Sequence, residues 1–265
     1  LIYIILNMNT LYINQIYGLF EDDKPLTDNK LFVNSYLKYT FICDNNNKNE
    51  NRKYNYEYKL WNKESCEELL KKYPEFNYYY DVRFKVMRVD IMRFIILYEY
   101  PGIYSDMDII PCIYDLDFIF DNYNNLYLCD YVNKKNNIYD IEIIGTAKKN
   151  NKLLYDYLRY IPSQIEEKNN IEIYKSWKMR YVFYTSGPRA FNKFLKQYFY
   201  SNNIISLNTI LFDKGITNDA IPYDIVMEYY QIKFYSFHSQ SYKEEVHEGK
   251  IVCTKYKKKK SENKI

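Results

Sequence analysis

Arg88-Val89-Asp90-Ile91-Met92-Arg93-Phe94-Ile95-Ile96-Leu97-Tyr98-Glu99-Tyr100-Pro101-Gly102-Ile103-Tyr104-Ser105-Asp106-Met107-Asp108 reads as an apolar helix, a proline–glycine stop and a short strand carrying two aspartates. With about 100° per residue, a helix over 82–100 puts Phe84, Met87, Ile91, Phe94, Ile95 and Tyr98 on one wide apolar face. Arg88 and Glu99 fall on the opposite, solvated side. Asp90 and Arg93 do not join them; they share a row with Val86 and Leu97, among apolar neighbours. Charges in such a row are costly unless paired or used. Pro101 cannot continue the helix and biases Tyr100 out of helical geometry. A strand over 103–107 then delivers Asp106 and Asp108, which at i and i+2 of an extended segment point to one side.

Working outward, 11–17 reads as a first, central strand. A turn follows at Asp22-Asp23-Lys24-Pro25, and Thr27 would cap a helix to about residue 38. The Asn-rich, charged run 44–52 reads as a loop. A strand over 56–61 and a helix over 64–72 follow. This β-α-β-α rhythm predicts an α/β, three-layer sandwich with a mainly parallel central sheet. Further on, 126–129, 141–146, 182–185 and 232–237 read as strands, and 152–161 and 188–198 as helices. No repeat or linker divides the chain, so 1–254 is expected to be one domain, less regular over 131–179. Residues 255–265, with Lys255 and Lys257 to Lys260, would form a basic, disordered tail.

The 265 residues, 47% hydrophobic, suffice for a sizeable core. The 34 tyrosines and the excess of Ile, Asn and Lys carry no functional message, because an AT-rich genome would produce them equally. Net charge is +3, and outside the tail nothing resembles a basic groove for a phosphate backbone, so no nucleic-acid partner is expected. Five cysteines, odd in number and without a C-x-x-C pair, favour neither a disulfide framework nor a zinc site. The apolar start at 1–6 is too short to span a membrane and lacks signal-peptide features. The expectation is a soluble chain in the reducing cytoplasm, with an upstream membrane anchor left open. No phosphate loop, nucleophile elbow or H-E-x-x-H motif is present.

Two carboxylates on one side of a strand end suit a hard divalent cation with open positions for substrate phosphates. D-x-D alone is a weak signal, since Asp115-Leu116-Asp117 fits it a few residues later. The context separates the first pair: helix, stop, then Ile-Tyr and the aspartates at a strand end, where open α/β sheets bind ligands.

In that context, Arg88 to Phe94, Leu97-Tyr98 and Gly102 to Asp108 resemble the signature of the D-x-D sugar-binding glycosyltransferases. That group includes initiating α-mannosyltransferases, capsular polysaccharide transferases and clostridial glucosylating toxins. The family pattern is roughly S-D-x-x-R-x-x-x-L, a Gly-Gly-x-Tyr turn, then D-x-D. The resemblance is specific over about 82–112 and looser over 13–61, where Ile13-Asn14-Gln15-Ile16-Tyr17-Gly18 is similar to the family's first strand. It implies a GT-A-like fold and metal-dependent transfer, with retention, from a UDP- or GDP-sugar to a hydroxyl of an unknown glycan, protein or lipid acceptor. It implies Mn²⁺ or Mg²⁺ on Asp106 and Asp108, with His238 a further candidate ligand. Asp90 and Arg93 would grip the donor's sugar, Tyr104 would line the pocket, and Asp106 would reach the ribose. Tyr17 would lie against the base, with Gln15 and Ser241 as further donor contacts. Two departures stand out: Val89 replaces a small residue before Asp90, and Pro101 replaces the first turn glycine.

Thr185-Ser186-Gly187-Pro188 resembles the family's T-G-P segment, and reads equally as a capped helix start. Phe237 to Tyr242, with His238 and Ser241, resembles a C-terminal His-x-x-x-Ser-Trp region with Tyr242 in place of Trp. Without the resemblance, Asp90 and Arg93 would read as an i,i+3 salt bridge. Two other classes stay open: a metal-dependent phosphodiester enzyme using the same carboxylates, and a sugar-nucleotide-binding protein without turnover.

Overall fold

The computed structural model describes residues 9–113, 115–117, 119, 120, 123, 125–131, 138–198, 204–211 and 234–236. Eight strands among them form one sheet: β1 (Thr10–Ile16), β2 (Asn55–Trp61), β3 (Gly102–Ser105), β4 (Ile109–Pro111), β5 (Leu126–Tyr131), β6 (Asp140–Thr146), β7 (Ile204–Leu211) and β8 (Phe234–Ser236). Their order is β2-β1-β3-β6-β5-β7-β8-β4. From the pairings, six strands run one way and two, β6 and β4, run against them. The sheet is therefore mainly parallel, as the βα rhythm implies.

The helices are α1 (Lys30–Lys48), α2 (Lys63–Leu70), α3 (Lys85–Glu99), α4 (Lys152–Asn169), α5 (Glu172–Ser176), α6 (Lys178–Thr185) and α7 (Pro188–Gln197). Two cores lie on opposite faces of the sheet. One joins α2, α3, α4 and α7 to Ile16, Trp61, Tyr104, Leu126 and Leu128. The other joins Tyr39, Ile42 and Cys43 of α1 to Leu11, Ile13, Tyr127 and Cys129. Strand β5 shows why: Leu126 and Leu128 point one way, Tyr127 and Cys129 the other, and burial on both faces gives a continuous apolar run.

Several elements depart from the sequence reading. Helix α1 is capped by Asn29, whose Oδ1 accepts from the Leu31 and Phe32 amides, rather than by Thr27. It continues into the stretch read as a loop because its asparagines are used in tertiary bonds. Asn46 accepts from the Leu116 amide, and Asn47 exchanges two bonds with the Tyr56 backbone. Helix α3 is not amphipathic in the expected sense; 90–97 is buried all round, and Arg88 and Glu99 are half-buried. Helix α4 runs through Pro162 instead of stopping before it. The carbonyl that proline frees, Leu158 O, accepts the Tyr78 hydroxyl at 2.7 Å. The region read as irregular is thus largely helical from 152 onward. The stretch read as a strand at 182–185 belongs to α6, and β7 is a strand the sequence reading left out.

Gly102 is the tightest point between helix and sheet. Its φ is +144°, and a Cβ there would lie 1.9 Å from Tyr12 O in β1. Only glycine lets α3 turn directly into the strand beside β1. Among the described residues, no helix is long and apolar enough to cross a membrane.

Candidate functional site

Because β1 and β3 are parallel, the chain following each emerges at the same end of the sheet. Tyr17 follows β1 and Asp106 follows β3, so the carboxyl ends of two neighbouring strands frame one site. Asp106 and Asp108 do not sit on an extended strand as expected. The strand ends at Ser105, and the Ile109 amide bonds back to Asp106 O at 3.2 Å, closing a turn that buries Met107. Both carboxylates stay half-buried at the turn.

The turn is held by its backbone. The Asp106 amide donates to Glu142 O across β3 and β6 at 2.9 Å, and Gln15 Nε2 donates to Asp106 O at 3.2 Å. Gln15 is wholly buried; its amide also donates to Ser35 Oγ, and its Oε1 accepts the Tyr58 hydroxyl. The structure thus places Gln15 behind Asp106, supporting it through the backbone.

Arg93 joins the carboxylates. Its Nη2 lies 3.2 Å from Asp90 Oδ1 and 3.5 Å from Asp106 Oδ1, while its Nη1 donates to Ile141 O at 2.6 Å. The guanidinium also lies over the Tyr104 ring, 4.9 Å from the centroid. Tyr104 completes the circuit, its hydroxyl donating to Asp106 Oδ1 at 2.6 Å. Asp90, one turn before Arg93, accepts the Ser186 hydroxyl on its other oxygen at 2.8 Å. The structure thus brings Asp90, Arg93, Tyr104 and Asp106 into one linked set.

The electrostatics follow from burial. Burial pushes the Asp106 carboxyl up to about 7; Arg93 opposes this, and the nearby Asp108 and Glu142 carboxylates reinforce it. Asp90 is likewise raised by burial, with Arg93 and Ser186 pulling it back. Burial would lower Arg93, yet Asp106, Tyr104 and Asp90 raise it, so it stays charged. Carboxylates crowded at the mouth of a site, each with hard oxygens, fit a divalent cation, which would relieve their repulsion. Asp106 and Asp108 bring two such carboxylates to one turn, and among the described residues no group of three or more His, Cys, Asp or Glu side chains is gathered as a metal site.

Tyr17 lies at the end of β1, half-buried, with its hydroxyl on Lys24 O at 2.5 Å and its ring edge-on to Phe32. His238 and Ser241 lie outside the described residues, as do Cys253 and the basic tail; the four described cysteines are buried. Asp117, the control pair's second member, accepts the Tyr56 hydroxyl at 2.5 Å and the Lys53 amide, tying a loop to β2.

Two contributors escaped the sequence reading. Glu142 faces Ser236 of β8, whose hydroxyl donates to Glu142 Oε2 at 2.8 Å, and it also accepts the Tyr131 hydroxyl. Its signal was available: a carboxylate inside the apolar strand Asp140-Ile141-Glu142-Ile143-Ile144, analogous to Asp90 in its helix. Ser186 stands in the sequence as part of the T-G-P-like segment and of a capped helix start, and neither reading ties it to Asp90.

Residues 42–126 match the family model described as "Glycosyltransferase sugar-binding region containing DXD motif", a stretch that includes Asp90, Arg93, Tyr104, Asp106 and Asp108. Over 56 residues, the chain is 45% identical to inositol phosphoceramide mannosyltransferase 3 of Schizosaccharomyces pombe, a match covering 20% of this chain and 16% of that relative. Among solved structures, the PaToxG glycosyltransferase aligns at 18% identity over 72% of this chain and 69% of its own, with a TM-score of 0.46. A glycosyltransferase involved in glycosylating the major capsid of PBCV-1 aligns at 10% identity over 89% and 96%, with a TM-score of 0.40.

Proposed function

Proceeding from a chain whose residues 42–126 carry the sugar-binding region of the D-x-D glycosyltransferases, we propose that it moves a sugar from a nucleotide-sugar donor to an acceptor hydroxyl, with a divalent cation. The observation that carries this reading is the single linked circuit of Asp90, Arg93, Tyr104 and Asp106 at the carboxyl ends of β1 and β3. A salt bridge serving only the fold would not need the D-x-D turn at its end.

In this reading Asp106 and Asp108 would hold Mn²⁺ or Mg²⁺, which would supply Lewis-acid stabilisation of a departing diphosphate. Arg93 fixes Asp106 and keeps positive charge at the same end of the pocket. Tyr104 orients the Asp106 carboxylate, leaving its second oxygen for the ligand side. Tyr17 offers an aromatic edge for the base, and Asp90 anchors Arg93 beside the sugar. The acceptor oxygen bonds to the anomeric carbon as the bond to the diphosphate breaks. The acceptor's proton passes to the leaving phosphate, and attack from the leaving-group face retains configuration. The mannosyltransferase relative puts mannose among the donor sugars to be tested, on GDP and on UDP alike.

The test is donor hydrolysis over UDP- and GDP-sugars with Mn²⁺, comparing the native chain with Asp108→Asn. Metal-dependent release by the native chain alone supports the reading. Equal release by both, or release unaffected by chelator, sinks it. Thermal stabilisation by UDP or GDP with Mn²⁺ but no sugar release would move the chain to the binding-only class.

A further inference from the structure

We infer that Ser186 is a positioning residue for this site, setting the orientation of Asp90 and through it the share of Arg93 left for Asp106; the inference rests on the donor-binding reading above. Ser186 is wholly buried, 96 positions from Asp90 in sequence, and its hydroxyl donates to Asp90 Oδ2 at 2.8 Å. The hydroxyl is not spent on capping: α7 has Gly187 at its N-cap and no side-chain cap bond, and α6 closes through backbone bonds from the Ser186 and Gly187 amides to Val182 O.

The Ser186 backbone has little freedom to drift. Its carbonyl accepts the buried Tyr157 hydroxyl of α4 at 2.8 Å. Gly187 packs so closely on α6 that a Cβ would meet Phe183 Cα at 3.0 Å. A hydroxyl one bond from this fixed backbone therefore selects one carboxylate orientation of Asp90.

That orientation matters because Arg93 Nη2 is shared, 3.2 Å from Asp90 Oδ1 and 3.5 Å from Asp106 Oδ1. With Oδ2 satisfied by Ser186, Asp90 engages Arg93 through one oxygen only. Without the hydroxyl, a buried carboxylate with an unpaired oxygen turns both oxygens onto the guanidinium, the geometry arginine favours. Arg93 then shifts towards Asp90 and away from Asp106. The helical layer thus reaches the metal-binding turn through Tyr157, Ser186, Asp90 and Arg93 in sequence.

The experiment compares Ser186→Ala and Ser186→Thr in the full chain, with Mn²⁺ and whichever UDP- or GDP-sugar the native protein hydrolyses best. The expected result is that Ser186→Ala raises donor KM about tenfold or more, with kcat changed less, while Ser186→Thr restores most of the loss. A native donor KM in Ser186→Ala overturns the inference, as does equal loss in Ser186→Thr. If the native chain neither hydrolyses nor binds any sugar nucleotide, the donor reading itself falls. A urea double-mutant cycle of Ser186→Ala with Asp90→Asn then decides the contact: non-additive stabilities uphold Ser186's hold on Asp90, and additive ones overturn it.

Discussion

The guanidinium of Arg93 lies 3.5 Å from the carboxylate of Asp106, and it reaches there from the stretch of α3, 90–97, that is buried all round. The same group donates to Ile141 O at 2.6 Å, so it ties α3 to β6 as well as to the D-x-D turn. No single-headed cation can make these bonds together. Arg93→Lys keeps the charge but loses the fork, leaving Ile141 O or one carboxylate unpaired. The expected outcome is a fall in donor kcat/KM of about tenfold to a hundredfold. A stability loss of about 2 kcal/mol should accompany it, read by urea unfolding. Native kcat/KM in the lysine variant would show that the bidentate geometry is irrelevant.

The chain's two D-x-D pairs give opposite predictions. Asp108 lies in the candidate metal turn, so Asp108→Asn should abolish metal-dependent hydrolysis. Asp117 accepts the Tyr56 hydroxyl and the Lys53 amide. Asp117→Ala should leave hydrolysis intact and cost about 1–3 kcal/mol, because two donors lose their partner. Melting curves and Mn²⁺ titrations of the two variants side by side check both; an inactive Asp117→Ala with native stability would reverse the assignment.

The site was legible where a polar residue broke an apolar pattern. Asp90 and Arg93 stand out because charges in a buried helix are costly unless paired or used, and the Pro101-Gly102 stop fixed where the strand begins. The D-x-D geometry was less legible: i and i+2 suggested an extended pair, whereas tertiary bonds from Gln15 and Glu142 curl the segment into a turn. Tertiary context also overrode local preference at 182–185. Val182, Tyr184 and Thr185 favour strands, but Val182 and Tyr181 pack on Phe84 and Met87, and the Thr185 hydroxyl is absorbed by Tyr181 O one turn back. Strand β7 carries a readable alternation, Ile205, Leu207 and Thr209 against Ser206 and Asn208. The Asn46 and Asn47 contacts of α1 could not be read, since they depend on Leu116 and Tyr56 arriving from elsewhere in the chain.

Gly102 tests how rigidly the helix delivers the site. With φ at +144° and Tyr12 O 1.9 Å from where a Cβ would stand, neither strain nor space admits a side chain. Gly102→Ala should destabilise the chain by on the order of 3 kcal/mol, through backbone strain and displacement of β1 from β3. Donor hydrolysis per folded molecule should fall too, because Asp106 follows four residues later. Full hydrolysis in the folded fraction would mean that the turn is positioned by β6 alone.

Glu99 ends α3 on the side away from Arg93 and gives a pH-dependent prediction. Burial alone would raise its carboxyl, but the Tyr73 hydroxyl at 2.8 Å, Lys149 at 3.4 Å and Lys72 at 3.3 Å outweigh it and hold the group below its ordinary value. A depressed folded value means the charged form is favoured by folding. Its contribution is therefore full above the unfolded value of about 4.3 and is lost as pH falls through the lower folded one. The side chain is 16% exposed, and its partners are long surface lysines, so the contribution is at most about 1 kcal/mol. Glu99→Gln should unfold at lower urea than the native chain at pH 7. The gap should close as both are titrated to about pH 3, where native Glu99 is protonated and resembles the amide. A gap of constant size across that range would mean that the loss is packing at the Tyr73 hydroxyl, and that the charge on Glu99 contributes nothing.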